Sequence, residues 1–475
     1  MKNKKISLIS IIMFIIFIIN VISISIFTIN SNMIPNKYIM IGIAVLSFLA
    51  IIYALIIFII KNKVLNIIIY LMIILTGIGS IFVYRYVDKA LDTLDNIATA
   101  VIETEDFYIV TSSKSQIKEL KDLENKYLYM FSNNENYTDI ITKIDNEIEV
   151  NYSKLDSLEK LSDKVISNND SGILITASQY EMISELYPKF KEVARILTTL
   201  QHKIGTEKTQ VEMNNDYTIE TGKFNVYVSG IDTSGKISNV SRSDSNMIIT
   251  VDMSEEKVQV LMTSIPRDYY VNLHTSGKKD KLTHSGIYGI NETISTVEDF
   301  MNIDINYYAR VNFTTLISLV DSIGGIEVNS DLDFNSGGYK FKKGINYLNG
   351  KQALVFARER YSFKDGDIQR NKNQQKVIEG IVNKVITTES IINNYSKILD
   401  TLSSSFQTNI TSDQIAYLIK NQIDNFKDID INTYSLFGSG THASTYSMGS
   451  QKLYVMIPNK EAVSTARKKI IKVLE

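Results

Sequence analysis

The chain has 475 residues, 44% of them hydrophobic, and a formal net charge of −2. That is enough for two or three domains, and it fits neither a disordered chain nor a nucleic-acid binder. Cysteine is absent, which excludes disulfides, thiolate metal sites, a cysteine nucleophile and a lipid-modified N-terminal cysteine.

The first 84 residues read as membrane. Three charge-free apolar runs, 6–27, 39–60 and 64–83, are each near the ~20 residues that cross a bilayer, and three such runs do not describe a cleavable signal peptide. Lys2, Lys4 and Lys5 precede the first run, and Lys61 and Lys63 separate the second from the third. The positive-inside rule therefore puts the N-terminus in the cytoplasm and everything after the third span outside. Residues 85–105 follow as a helical connector. The next segment, 106–205, alternates β-prone runs (107–111, 127–131, 148–150, 173–176, 193–198) with helical stretches (116–123, 155–165, 177–186). This predicts a small α/β accessory domain with a mostly parallel sheet. Its acidic and lysine residues read as solvated surface. Residues 206–220 are polar, a linker.

The last domain, 221–475, opens with a predicted strand at 224–228. Further strands are expected at 246–252, 258–264 and 325–329, with helices at 289–302, 313–323, 371–387, 390–403 and 412–421. The pattern predicts an α/β sandwich, a central sheet flanked by helices.

Candidate chemistry gathers in this domain. Only nine of the 50 basic residues are arginine, and six of them (Arg242, Arg267, Arg310, Arg358, Arg360, Arg370) lie in one stretch of it, 242–370. Forked guanidinium donors suit phosphate or carboxylate, although ordinary salt bridges would also use them. The four histidines, His202, His274, His284 and His442, lack the spacing of a zinc helix. Asp232 and Asp244 stand at the ends of successive strands, where ligand sites collect; the pair suits Mg²⁺ with substrate phosphates, unless Asp232 caps a turn and Asp244 pairs with Arg242. Pro266 turns the chain and sets Arg267 on a loop. Arg358 and Arg360 share one side if 354–360 is extended. Arg370 and Gln374 share a helix face, and Asp367 can cap that helix. Arginines with a glutamine facing two carboxylates describe a site for pyrophosphate on Mg²⁺, each charge-assisted hydrogen bond worth roughly 1.5–3 kcal/mol.

The ordered blocks Gly230-x-Asp232, Arg242-Ser243-Asp244-Ser245, Ser264-Ile265-Pro266-Arg267-Asp268, Lys281-Leu282-Thr283-His284, Asp321-Ser322-Ile323-Gly324-Gly325-Ile326-Glu327-Val328, Leu348-Asn349-Gly350-Lys351-Gln352-Ala353-Leu354, Arg358-x-Arg360 and Gly366-Asp367-x-x-Arg370-x-x-x-Gln374 resemble the LytR-CpsA-Psr catalytic domain over residues 224–386. The preceding segment is similar to the accessory domain that some members carry. The resemblance implies Mg²⁺ on Asp232 and Asp244, a polyprenyl-pyrophosphate glycan donor, and phosphotransfer to peptidoglycan. It implies catalytic roles for Arg267, Asp268, Arg358, Arg360, Arg370 and Gln374, and substrate contacts at Arg242 and Lys281. Two positions depart from the family's pattern: Asn373 where arginine is usual, and Thr283 where asparagine is usual. The first removes an anion contact; the second is expected to alter loop packing. Arg310 lies outside the blocks and reads as a neutral control.

Two apolar stripes at helical spacing, Phe313/Leu316/Ile317/Val320 and Val377/Ile378/Ile381/Val385, read either as plain core or, as the resemblance implies, as walls of a lipid tunnel with Tyr307 and Tyr308 at its mouth. The proton acceptor is left open among Asp232, Asp244 and Asp268. Two rival functions remain: a lipid-pyrophosphate phosphatase, and a non-enzymatic lipid-phosphate-binding regulator, for which the cytoplasmic segments are too short to hold a domain.

Overall fold

A computed structural model describes residues 7–31, 34–60, 62–98, 103–132, 137–168, 170–204, 217–231, 237–364, 366–385, 406–425 and 427–475. Asp232, the lysines at 2, 4, 5 and 61, most of the expected linker and the helix expected at 390–403 lie outside them. The chain falls into two compact units. One holds the N-terminal helices and the helix Ser412–Asn425; the other holds both sheet domains.

The first unit holds α1 (Leu8–Asn30), α2 (Asn36–Ala54, continued by a π-helical stretch Leu55–Ile60) and α3 (Lys63–Ala98). Leu8–Asn30, Asn36–Ile60 and Lys63–Lys89 are each long and apolar enough to cross a membrane. Their polar side chains pair with one another: the Ser10 and Tyr70 hydroxyls lie 2.6 Å apart, and Ser80 donates to Asn20 at 2.9 Å. α3 continues past the membrane stretch as the expected helical connector.

In the second unit the accessory sheet comprises β1 (Glu103–Ser112), β2 (Tyr127–Phe131), β3 (Asn151–Leu155), β4 (Gly172–Thr176) and β5 (Ala194–Ile204), in the order β3-β2-β4-β1-β5. β2 is parallel to β3 and β4, but β1 is antiparallel to β4 and β5. The sheet is therefore mixed rather than mostly parallel. α4 (Tyr137–Asp145) covers one face, and α5 (Leu158–Ile166), α6 (Ala177–Leu186) and α7 (Pro188–Val193) cover the other. Sequence reading missed α4 and placed β3 too early: Ile148 does not pair in the sheet but is buried with Ile140 and Ile144 of α4. The helix expected at 116–123 shrinks to one 3₁₀ turn, Leu120–Leu123. α6 matches expectation because Thr176 and Gln179 form a reciprocal capping box.

The six-stranded sheet of the last domain runs β16-β11-β6-β7-β8-β17, from β6 (Lys223–Ile231), β7 (Ser243–Asp252), β8 (Val258–Ile265), β11 (Tyr307–Val311), β16 (Phe406–Thr408) and β17 (Ile429–Ser435). Side-chain alternation sorts its residues. Tyr227, Ile248 and Leu261 face α9 (Ile290–Met301) and the C-terminal helix Lys460–Leu474, with Ile294, Val297, Ala466 and Ile470 filling the layer. Val228, Ile249 and Met262 face the other way, toward α12 (Gly366–Val385). Each fully buried Leu, Ile or Phe contributes roughly 1.5–3 kcal/mol. The expected α/β sandwich is thus present, with helices on both faces.

Short elements complete it: β9 (Tyr270–Asn272) pairs with β10 (Lys279–Lys281), ahead of α8 (Leu282–Ser285); β12 (Ile326–Ser330) pairs with β15 (Gly344–Leu348), and β13 (Phe334–Ser336) with β14 (Tyr339–Phe341). α10 (Phe313–Ser322) and α11 (Gly350–Arg358) pack against each other. Gly350 permits that approach, since a Cβ there would sit 2.2 Å from the Ile317 carbonyl oxygen. Residues 354–358 are helical, not extended as expected. Asn349 accepts from the Gln352 N–H and Gln352 from the Asn349 N–H, both at 3.0 Å, a capping box that commits the following residues to a helix. The hairpin of β18 (Gly438–Thr445) and β19 (Gly449–Pro458) spans the two sheet domains: Gly449 bridges to Ser157, and Met448 and Leu453 join the accessory core.

Candidate active site

The register of β6 and β7 slips between Gly230 and Ile231, and a Cβ on Gly230 would lie 2.9 Å from that of Ser245. This close pairing brings the start of β7, with Asp244 and Ser245, onto the wall of a cavity of about 330 Å³. The volume is within the range of small-ligand sites. Nine of the residues singled out from sequence line it: Asp244, Arg267, Arg358, Arg360, Arg370, Gln374, Phe313, Leu316 and Val377. A larger cavity, about 800 Å³, opens against Lys376, Glu379 and Asn383 of α12 and includes no arginine; size alone does not mark the site.

Asp244 is held by two side chains. Its Oδ2 meets Arg267 Nη1 at 2.9 Å, and its Oδ1 accepts from the Thr283 hydroxyl at 2.7 Å. Burial pushes its pKa up, but Arg267, Arg242, Thr283 and Arg370 together outweigh burial and hold it below the ordinary value. Thr283, expected only to alter loop packing, therefore orients the site carboxylate. Gln374 Oε1 accepts from the Ser245 hydroxyl at 2.9 Å, tying α12 to β7.

The arginines arrive from three elements. Arg267 sits on the turn after Pro266. Arg358 is the last residue of α11, its guanidinium 4.1 Å from the centre of the Phe313 ring. Arg360 follows, donating to the Tyr361 hydroxyl at 2.6 Å. Arg370, 7% exposed, meets Asp367 Oδ1 at 3.3 Å. The buried Nε donors of Arg242, Arg267 and Arg370 have no hydrogen-bond partner, a costly arrangement unless a ligand accepts from them. Among the lining residues four arginines face two carboxylates, Asp244 and Glu185, leaving two positive charges in excess. The apolar end is formed by Val228, Val311, Phe313, Leu316, Leu354, Val377 and Ile378. The cavity therefore offers cationic forks beside an oily wall, the two halves of a lipid pyrophosphate.

Other predicted residues stand elsewhere. Asp268, 5% exposed, lies behind the wall, paired with Lys281 at 2.8 Å. Arg242 does not line the cavity but bonds Glu185 of α6, 2.7 Å away, while its charge also acts on Asp244. Val320 is fully buried core, and neither it nor Ile381 lines the cavity. Tyr307 and Tyr308 are buried in β11 and form no mouth; Tyr361, 85% exposed, stands at the rim instead. Asn373 is buried and donates to the Phe356 carbonyl at 3.2 Å, so it fastens α12 to α11. Arg310 is no neutral position: 1% exposed, it pairs with Glu103 at 2.7 Å and donates to the Asn239 carbonyl at 3.0 Å. His284 bonds Asp280 at 2.6 Å, and Asp280 accepts from the Ser447 N–H at 2.7 Å; this buried chain braces the loop before α8. Glu185 was missed altogether, since nothing in its local sequence separates it from surface charge.

The family resemblance implies a metal on Asp232 and Asp244, of which only Asp244 is among the described residues. Asp244 presents an ionised carboxylate to the cavity, and Ile231 lines it as well. Among the described residues no three metal-ligating side chains cluster. Asp244 thus offers one carboxylate, and an ion such as Mg²⁺ takes one or two and completes its shell with phosphate oxygens and water.

The LytR_cpsA_psr family model matches residues 190–468. The chain belongs to the LytR-CpsA-Psr family. The family match extends beyond the sequence blocks through the β18–β19 hairpin and into the C-terminal helix. Polyisoprenyl-teichoic acid–peptidoglycan teichoic acid transferase TagU of Enterococcus faecalis is 39% identical over 213 residues, 44% of this chain and 67% of that protein. The same-named protein of Bacillus cereus is 33% identical over 267 residues, 55% of this chain and 84% of that one. The crystal structure of B. subtilis TagU shares 30% identity, covers 53% of this chain and 97% of that one, and superposes with a TM-score of 0.42.

Proposed function

We propose that this protein is a membrane-anchored transferase that moves a glycopolymer phosphate from a polyprenyl-pyrophosphate carrier to peptidoglycan outside the cell. The observation that carries this reading is the 330 Å³ cavity, which four arginines line together with a set of apolar side chains. Arg267, Arg358, Arg360 and Arg370 grip the pyrophosphate, and the prenyl chain lies against Phe313, Leu316, Val377 and Ile378. The names of the teichoic acid transferase relatives support the same carrier and acceptor. Asp232 and Asp244 would hold Mg²⁺, which when bound neutralises phosphate charge. An acceptor hydroxyl oxygen attacks the glycan-side phosphorus and gives up its proton, the bond to the bridging oxygen breaks, and polyprenyl phosphate leaves with the electron pair and takes up a proton. The arginines offset charge that builds on the departing phosphate. The lysines flanking the spans orient the N-terminus inward and the sheet domains outward.

The test is reconstitution of the full chain with a polyprenyl-pyrophosphate glycan, with and without peptidoglycan oligomers and a chelator. Polyprenyl phosphate is expected only when acceptor and Mg²⁺ are both present. Release without acceptor would identify a phosphatase, and no release under any condition a binding protein.

A further inference from the structure

The accessory domain is fixed to the catalytic sheet at points remote from solvent. Thr104 pairs with Asn239, its N–H donating to the Ser238 carbonyl and its carbonyl accepting from the Val240 N–H, both at 2.9 Å. Glu103 meets the buried Arg310 at 2.7 Å. Ser178, at the start of α6, donates to the Val240 carbonyl at 3.4 Å. α6 thus follows the segment that leads into Asp244, and its far end carries Glu185 to the cavity wall.

Glu185 differs from those anchors. Its side chain is 51% exposed, while its partner Arg242 is 13% exposed. Burial pushes the carboxyl up, but the hydrogen bond and charge of Arg242, with Arg267, outweigh this and keep it ionised. An ionised carboxylate accepts hydrogen bonds and donates none. In a cavity meant only for pyrophosphate, a second negative charge would repel the ligand, so its presence calls for a donor-rich group nearby. With the prenyl chain on the apolar side chains and the pyrophosphate on the arginines beside Asp244, Glu185 is the lining carboxylate left to the sugar.

We propose that the accessory domain completes the substrate cavity, and that Glu185, oriented by Arg242, is a specificity residue accepting hydrogen bonds from sugar hydroxyls of the donor or of the acceptor. This rests on the function proposed above. The same 267 residues make up 84% of the Bacillus cereus relative and 55% of this chain, so this chain has room for a recognition element beyond the shared catalytic part.

The experiment uses the full chain in detergent, comparing wild type, E185A, E185Q and S178A. S178A removes only a 3.4 Å hydrogen bond at the other end of α6, leaves the Thr104 and Glu103 anchors in place and does not touch the cavity wall, so it serves as the control. Two probes are bound: geranylgeranyl pyrophosphate, and the same lipid carrying one N-acetylhexosamine. Transfer is followed for KM of donor and acceptor, with Tm alongside. Loss of one or two hydrogen bonds predicts that E185A weakens the sugar-bearing probe about 10-fold and leaves the bare one within about 2-fold. E185Q should fall between, and S178A should match wild type. An unchanged probe ratio with acceptor KM raised about 10-fold would assign the same role toward the acceptor sugar. Equal losses for both probes, losses that track Tm, or no change in either KM would overturn the inference. Wild type binding the bare pyrophosphate no better than geranylgeraniol would overturn the functional reading itself, a result distinct from the failure of Glu185.

Discussion

Exchanging arginine for lysine keeps the charge and removes the fork, so it separates two kinds of buried guanidinium in this protein. Arg370 has one distant partner, Asp367 at 3.3 Å, and a buried Nε with none. Its donors are held for a ligand. Arg370→Lys should cost roughly 2–4 kcal/mol of transition-state stabilisation, about 30- to 1,000-fold in rate. It should move stability by less than about 1 kcal/mol, because little within the protein depends on the fork. Arg310 is the reverse case. Its guanidinium joins Glu103 of the accessory strand, the Asn239 carbonyl and, at 3.4 Å, Gln407, and it does not line the cavity. A lysine ammonium cannot serve all three, so Arg310→Lys should lose about 1–3 kcal/mol of stability, a fall of several degrees in Tm. Its kcat at a temperature where it stays folded should be near wild type. The assay is initial transfer rate beside a thermal melt for both variants. A rate loss in Arg310→Lys without unfolding, or a wild-type rate in Arg370→Lys, would refute the assignment.

Thr283→Val removes a hydrogen bond that lowers the Asp244 pKa, so the acid limb of kcat/KM against pH should move to higher pH, whereas Thr283→Asn should restore it; an unmoved limb in the valine variant would exclude Asp244 as the ionising group. Asp268 is also held below its ordinary pKa: burial raises it, and Lys281 and Arg267 overcome that. Such a group contributes stability that is fully present above the unfolded value of about 3.9 and is lost as pH falls through the lower folded value. Tm should therefore drop below about pH 4, with a shallower drop in Asp268→Asn, and identical acid limbs in the two melts would contradict this. Leu316→Trp adds bulk to the apolar wall and should raise KM for long prenyl donors more than for short ones; equal effects would place the lipid elsewhere.

Much of the site was legible because its chemistry is written in residue type and order. Arginines concentrated in a lysine-preferring chain, with aspartates at strand ends, pointed to a phosphate cavity, and nine of the named residues line one. The spans were legible from length and apolarity alone. What failed was geometry that depends on partners distant in sequence. Arg358 reached the cavity from a helix end, because the Asn349–Gln352 capping box outweighs the β-like run that follows. Arg310 looked neutral because its partners, Glu103 and Asn239, lie 207 and 71 residues away. Glu185 sits in an ordinary amphipathic helix, and only docking of that helix beside β7 makes it a site residue. Ile148 carried a strand signal, yet its burial under α4 decided otherwise.

The central claim is tested most directly by following the glycan-side phosphorus. A polyprenyl-pyrophosphate glycan labelled at that atom is given to the full chain with peptidoglycan oligomers and Mg²⁺, and the label is traced after one turnover. Label is expected in a phosphodiester between glycan and peptidoglycan, with unlabelled polyprenyl phosphate as the second product, and neither product with Arg370→Lys on the wild-type timescale. Label recovered as free glycan phosphate, or left in the lipid, would contradict it.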